Sequence, residues 1–210
     1  SGEETSAASE SASGEETSAA AGETAASDSS QASPSSLSQW PAGPELWAEA
    51  GILMDARTGT VLFGKNADER LYPASITKLM TALLVLENCS LSEVVTFSYE
   101  ATHSIEPDAS HISTTEGEQM TVEQCMYALL LKSANEVANG LAEHVAGSME
   151  AFADMMNERA AQLGCTNTHF VNALGLHDEN HYTTCHDMAL IMQALIDNET
   201  FISISSADRY

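Results

Sequence analysis

The chain has 210 residues, which suits one domain with a tail or most of a larger domain. It carries 7 Lys and Arg against 31 Asp and Glu, a formal net charge of −24. This charge repels nucleic-acid phosphates and anionic lipid surfaces, so we expect no nucleic-acid partner. No run of about 18 apolar residues occurs, so no membrane-spanning helix is predicted.

Residues 1–44 differ in composition from the rest of the chain. The octapeptide SGEETSAA occurs twice, and almost no large apolar residue precedes Leu37 and Trp40. Such a segment buries too little apolar surface to offset its chain entropy, so we expect a disordered acidic linker over residues 1–44. A single globular domain is predicted over residues 45–210.

The hydrophobic pattern of this domain predicts a hairpin followed by a mostly helical body. Apolar runs at 47–54 and 60–65 flank turn residues and indicate two paired strands. From Ser75 the apolar residues recur with a helical period. Further helices are predicted over residues 121–131, 135–145, 148–164 and 184–196, and a final strand over 201–205.

The motif S-x-x-K occurs once, as Ser75-Ile76-Thr77-Lys78. Pro73 precedes it and an apolar helix follows, so Ser75 is predicted at a helix N-terminus, where free N–H groups favour a developing negative charge. The spacing places Ser75 and Lys78 on one helix face. A serine hydroxyl needs a base to become a good nucleophile, and burial can lower a lysine pKa enough for this role. The alternative is a surface lysine one turn after a capping serine.

A second motif, Ser133-Ala134-Asn135, lies between two predicted helices. A hydroxyl placed there can relay a proton, and an amide can hold a peptide carbonyl. The alternative is an ordinary helix cap, because Ser and Asn are standard capping residues.

Together and in this order, the two motifs resemble those of the active-site serine family of penicillin-recognising enzymes. The resemblance is closest to its D-alanyl-D-alanine carboxypeptidases, the low-molecular-mass penicillin-binding proteins, and covers about residues 46–205. It implies an α/β (α+β) fold of the β-lactamase and D,D-peptidase type, with an N-terminal hairpin of an antiparallel sheet and a mostly helical subdomain. The segments that carry it beyond the two motifs are residues 53–62, 71–80, 117–122 and 167–189.

The resemblance also implies roles for the motif residues. Ser75 would form the acyl-enzyme, and Lys78 would be the base that activates it. Ser133 would pass the proton to the departing D-alanine, while Asn135 would hold the substrate peptide. The implied partners are a peptidoglycan stem peptide ending in D-Ala-D-Ala and β-lactams as covalent inhibitors. The implied location is extracytoplasmic, either secreted or held at the outer face of the membrane by an anchor that this chain does not show.

The family's third motif, Lys-Thr-Gly or a close variant, does not occur in these 210 residues, whose last lysine is Lys132. We therefore expect a chain that is incomplete at its C-terminus, without the remaining strands of the sheet. Two alternatives stay open. A class A β-lactamase shares S-x-x-K, but Ser133-Ala134-Asn135 lacks the central Asp typical of that group. A penicillin-sensing or peptidoglycan-binding module without turnover is favoured by the missing motif.

The four cysteines form no C-x-x-C pair and indicate no particular disulfide. His177, His181, Cys185 and His186 lie close together in sequence, and His and Cys at short spacing can bind zinc. No H-E-x-x-H motif occurs, however, and these residues fall in an ordinary loop-to-helix segment of the family that the chain resembles. We therefore expect no metal site and no cofactor.

Overall fold

A computed structural model describes residues 43–210, so the linker expected over residues 1–44 lies outside the described residues except for its last two positions. Two antiparallel two-stranded sheets and seven α-helices make up the described part of the chain. In chain order these are β1 (Gly51–Met54), β2 (Val61–Lys65), α1 (Lys78–Asn88), β3 (Val94–Thr96), α2 (Tyr99–His103), β4 (Gln119–Thr121), α3 (Val122–Tyr127), α4 (Asn135–Ala146), α5 (Met149–Gln162), α6 (Cys185–Leu195) and α7 (Glu199–Ser205).

The predicted hairpin is confirmed, because β1 pairs antiparallel with β2. Its first strand begins at Gly51, not at residue 47. The preceding residues turn their backbone toward a cation instead: the Lys65 ammonium donates to the carbonyl oxygens of Leu46 and Ala48 at 2.9 and 2.7 Å. Strand β1 also contacts α6, so the hairpin is joined to the helical body.

Helix α1 lies at the centre of the core and contacts α4, α5 and α6. Seven of its eleven residues are buried, namely all of those between Lys78 and Val85 except Leu79. A helix that is apolar on nearly all sides fits this central position, because every side meets another element. The predicted helices around it are also confirmed, with α4 ending at Gly147 in a left-handed conformation and Ser148 capping α5.

The prediction of a strand over residues 201–205 is wrong. These residues lie in α7, which begins after Asn198, whose side chain accepts a hydrogen bond from the Phe201 amide at 3.0 Å. Phe201 and Ile204 are the buried residues of this helix. Their spacing of three is helical, whereas the alternation that indicates a strand comes from Ile202 and Ile204, which are separated by Ser203 and followed by Ser205.

The pairing of β3 with β4 and the short helix α2 were not predicted from the sequence. Each strand has three residues, too few to show a period of two. None of the helices in residues 43–210 is both long enough and apolar enough to cross a membrane.

The packing of α4 on Phe97 yields a test of the core. A Cβ added at Gly140 would overlap the Phe97 ring, which is 1% exposed, so that helix α4 or the packed ring would have to shift. We expect Gly140→Ala to lower the free energy of unfolding by about 1–3 kcal/mol, despite the better helix propensity of Ala. Chemical denaturation measures this change. Gly64→Ala is the control, because its added Cβ would meet only Ala67 at 3.4 Å; equal effects of the two substitutions would contradict the packing argument.

Candidate active site

Ser75 lies in a 3₁₀ turn, Ala74–Thr77, which leads directly into α1. The predicted helix start at Ser75 is therefore three residues early, since α1 begins at Lys78. Ser75 is exposed, whereas Lys78 is only 3% exposed. The turn thus presents the hydroxyl to solvent and leaves the lysine beneath it in the protein interior.

The Lys78 ammonium is surrounded by three oxygen acceptors. It lies 3.3 Å from Ser75 Oγ, 2.7 Å from Asn135 Oδ1 and 2.7 Å from the Leu174 carbonyl oxygen. These acceptors come from the 3₁₀ turn with Ser75, the start of α4 and the loop before α6. Three predicted site residues, Ser75, Lys78 and Asn135, are therefore in hydrogen-bond contact, and all three acceptors are uncharged.

Burial lowers the pKa of Lys78 from 10.5 to about 8, while the Glu136 carboxylate acts in the opposite direction and favours the ammonium form. At pH 7, a pKa of about 8 leaves roughly one lysine in ten uncharged, against about one in 3,000 for an ordinary lysine. A neutral amine has two N–H donors and one lone pair. It can donate to Asn135 and Leu174 and direct its lone pair toward the Ser75 hydroxyl.

The second motif lies where a π-helical turn, Ala128–Lys132, ends and α4 begins. Ser133 takes the left-handed conformation at this junction, with φ 59° and ψ 36°. Its Oγ is buried and has no hydrogen-bond partner within residues 43–210. A buried hydroxyl without a partner is uncommon, so this oxygen keeps an unused capacity to donate and accept hydrogen bonds.

Glu136, which follows the motif, was not identified from the sequence. It is 1% exposed, and its Oε1 accepts hydrogen bonds from the amides of Ile112 at 2.7 Å and Thr114 at 3.4 Å. The backbone N–H of Asn135 donates to the carbonyl oxygen of Ser110, in the same loop, at 2.8 Å. The loop before β4 is therefore fixed to the start of α4, which positions the Asn135 side chain.

The loop before α6, which carries the Leu174 carbonyl, is held by a side chain and by a close backbone contact. Asn172 Oδ1 accepts from the amides of Gly175 and Leu176 at 2.7 and 3.0 Å. Gly175 has φ +88°, and a Cβ added there would overlap the Ala74 carbonyl oxygen. Only glycine permits this approach, which brings the loop against the 3₁₀ turn with Ser75. Ala74 also adopts a positive φ, +48°, directly before the serine.

A family model described as D-alanyl-D-alanine carboxypeptidase matches residues 37–209. The chain belongs to this family. The carboxypeptidase DacF of Bacillus subtilis is 37% identical over 155 residues, covering 73% of this chain and 40% of the relative. DacC of Escherichia coli is 38% identical over 161 residues, with the same two shares. The chain thus spans about 40% of the length of these curated relatives.

Solved structures agree with this membership of the D-alanyl-D-alanine carboxypeptidase family. The carboxypeptidase DacD of Francisella tularensis matches with a TM-score of 0.71 at 34% identity, over 82% of this chain and 44% of that one. A mutant of the Streptomyces K15 DD-transpeptidase matches with a TM-score of 0.73 at 32% identity, over 77% and 66%. The predicted fold class is confirmed: the described residues have the D,D-peptidase fold, with an N-terminal hairpin and a mostly helical body.

The three histidines that were considered as zinc ligands each contact another residue in the structure. His181 is 1% exposed, and its Nδ1 accepts from the Val171 amide at 3.0 Å. Its proton therefore lies on Nε2, which donates to Thr77 Oγ1 at 2.8 Å. His177 packs edge-on against Tyr72, while His186 pairs with an exposed carboxylate. His181 thus anchors the 3₁₀ turn with Ser75 to the loop before α6.

This buried histidine predicts a dependence of stability on pH. Burial lowers the His181 pKa from 6.5 to about 4. Between these pH values the unfolded chain binds a proton that folded His181 does not, so the free energy of unfolding falls as the pH is lowered from 6.5 to 4. We expect His181 to account for a loss of roughly 2–3 kcal/mol over this range.

Denaturation at several pH values, with His181→Gln as the reference, isolates this contribution. The difference in stability between the wild type and the variant is expected to shrink as the pH falls through the range. A difference that stays constant with pH would contradict the neutral, buried state of His181.

Proposed function

We propose that this chain carries the nucleophile, base and proton relay of a serine-type D-Ala-D-Ala carboxypeptidase acting on peptidoglycan stem peptides. One observation supports it above all: the buried Lys78 amine contacts Ser75 Oγ while two uncharged acceptors hold it in place. This contact gives the exposed serine a base that is partly uncharged at neutral pH.

In the proposed acylation step, the Lys78 lone pair accepts the Ser75 proton as Oγ attacks the carbonyl carbon of the penultimate D-alanine. The carbonyl π electrons move onto oxygen, and the Ser75 amide would contribute one donor to the resulting oxyanion. Collapse of this intermediate breaks the peptide bond. The departing nitrogen takes a proton relayed through Ser133 Oγ, and D-alanine leaves as the free amino acid.

Asn135 is proposed to have two functions. Its Oδ1 accepts from Lys78 at 2.7 Å, which leaves the amide nitrogen available to donate to a carbonyl oxygen of the bound peptide. Substrate and base would then be aligned by one side chain, held at the start of α4. Alignment of this kind lowers the entropic part of the reaction barrier.

Water would complete the cycle by hydrolysing the Ser75 ester, with Lys78 again accepting a proton. A β-lactam would acylate the same oxygen, because opening its strained ring is also an attack on an amide carbonyl. We propose an extracytoplasmic location, since peptidoglycan stem peptides are cross-linked and trimmed there. An anchor holding the protein at the outer face of the membrane remains part of this proposal.

The main test is covalent labelling with a fluorescent penicillin, applied to the 210-residue chain and to the longest form that its gene encodes. We expect label on the wild type and none on Ser75→Ala, because Ser75 is the only exposed serine in contact with a buried lysine within residues 43–210. Ser203→Ala, at an exposed serine on α7, is the matched control and should label like the wild type.

Release of D-alanine from a D-Ala-D-Ala peptide distinguishes the remaining possibilities. Label together with D-alanine release supports the carboxypeptidase. Label without release of D-alanine would identify a penicillin-sensing module, and rapid loss of label with release of opened penicillin would identify a β-lactamase. Absence of Ser75-dependent label on both forms would reject the proposed nucleophile.

The Lys78 pKa predicts how acylation responds to pH. Below about pH 8 the lysine is mostly protonated, so the acylation rate should fall about tenfold for each pH unit below this value and level off above it. Lys78→Arg, whose guanidinium stays charged, should lose at least 100-fold in rate at every pH. Rates are measured by stopped penicillin-labelling reactions.

Lys132→Arg is the matched control, because Lys132 is exposed and its side chain takes no part in the proposed reaction. It should keep the wild-type rate and pH profile. A wild-type rate that is flat between pH 6 and 8, or full activity in Lys78→Arg, would contradict the proposed base.

A further inference from the structure

A cluster of three side chains with metal-binding atoms lies at the end of the body opposite to Ser75. It consists of Cys89, Glu93 and His144, whose Sγ, carboxylate oxygen and imidazole nitrogen all lie within 4.8 Å of one another. Cys89 directly follows α1, Glu93 lies in the turn before β3, and His144 lies in the last turn of α4. We refer to these three residues as the 89/93/144 cluster.

The combination of a thiol, a carboxylate and an imidazole favours zinc over magnesium and calcium. Thiolate, imidazole and carboxylate are its usual protein ligands, whereas magnesium and calcium select oxygen alone. Zinc bond lengths in a tetrahedral site place neighbouring ligand atoms about 3.3–3.8 Å apart. His144 Nε2 and Glu93 Oε2 already lie 3.2 Å apart. Because the three ligand atoms lie within 4.8 Å of one another, Cys89 Sγ needs to approach by at most about 1 Å, which a small side-chain rotation supplies.

The backbone around the cluster favours a cation and orients one of its ligands. The Ser90 amide donates to Glu93 Oε1 at 2.6 Å, which fixes the carboxylate and leaves Oε2 directed at His144. Helices α1 and α4 both end here, and the C-terminal end of a helix carries partial negative charge. The only basic side chain in the cluster is the histidine, which binds a metal in its neutral form.

We propose that the 89/93/144 cluster is a zinc site, with Cys89 Sγ, Glu93 Oε2 and His144 Nε2 as ligands and water in the fourth position. Binding displaces the thiol proton to solvent, so the ligand is the thiolate. The site was not predicted from the sequence, because His144 is remote from Cys89 along the chain and shares no short-spacing motif with it.

The position of the site suggests what bound zinc does. Helix α1 begins with Lys78 and ends at Cys89, while α4 begins with Asn135 and carries His144 in its last turn. Zinc would join the far ends of the two helices whose first residues share the 2.7 Å hydrogen bond at the active site. The ion would therefore brace this pair of helices, independently of the chemistry proposed for Ser75.

The test is zinc titration of the 210-residue chain by calorimetry, together with thermal unfolding at several concentrations of free zinc. We expect one equivalent of zinc to bind, and Tm to rise by roughly 5–10 °C once free zinc exceeds Kd about a hundredfold. Cobalt in place of zinc should give the thiolate-to-metal charge-transfer absorption that reports a cysteine ligand.

Cys89→Ser, Glu93→Gln and His144→Gln should each weaken zinc binding at least tenfold and reduce the rise in Tm accordingly. Cys89→Ser should also lose the cobalt charge-transfer band. Cys185→Ser and His186→Gln are the matched controls, at a partly exposed thiol and imidazole outside the cluster, and should bind zinc like the wild type.

Two results would overturn the proposal. The first is the absence of saturable zinc binding tighter than about 100 µM by the wild-type chain. The second is tight binding that persists in Cys89→Ser and His144→Gln, which would place the metal elsewhere. Because both measurements are independent of penicillin labelling, failure of the zinc site would leave the proposed peptidase untouched, and the reverse also holds.

Discussion

The contacts of the Lys78 amine are the constraint around which this structure is arranged. A lysine with 3% of its surface exposed is stable only if its N–H groups meet acceptors, because an unpaired buried amine costs several kcal/mol. Here the acceptors come from three separate parts of the chain: the turn with Ser75, the start of α4 with Asn135, and the loop with Leu174. Satisfying one side chain therefore brings together the three segments that form the candidate site.

This arrangement leaves the lysine in an intermediate electrostatic state. Full desolvation without a carboxylate would lower its pKa further, while direct pairing with a carboxylate would keep it charged. Glu136 favours the ammonium form, but its Oε1 is occupied by two amides of the loop before β4. The Glu136 carboxylate thus fixes a loop and also limits the downward shift of the Lys78 pKa. The resulting pKa of about 8 is close enough to neutral pH for a fraction of the amine to be uncharged. The contacts that support the loop are thus also contacts that set the lysine pKa.

Much of the fold was accessible from sequence because its helices carry strong local signals. The helix starts predicted at residues 148 and 184 agree with the structure, where the hydroxyls of Ser148 and Thr184 cap α5 and α6 by accepting from amides within the next turn. The predictions of secondary structure fail where tertiary contacts determine the conformation. Residues 201–205 are helical and not a strand, and the three-residue strands β3 and β4 are not predicted. At the site, side-chain motifs identified Ser75 and Lys78. The Leu174 carbonyl was not identifiable, because any residue supplies a carbonyl and only the folded loop places it.

The contact between Gly175 and Ala74 has a consequence for reading related sequences. S-x-x-K arises by chance in serine-rich chains, so Ser75 and Lys78 alone are weak markers of an intact site. A glycine is required at 175 by the geometry of the loop, whatever the substrate, since any side chain there would push the loop and its Leu174 carbonyl away from the lysine. Replacement of this glycine in a homologue would therefore indicate that the loop no longer holds the lysine amine as it does here, even where serine and lysine both persist.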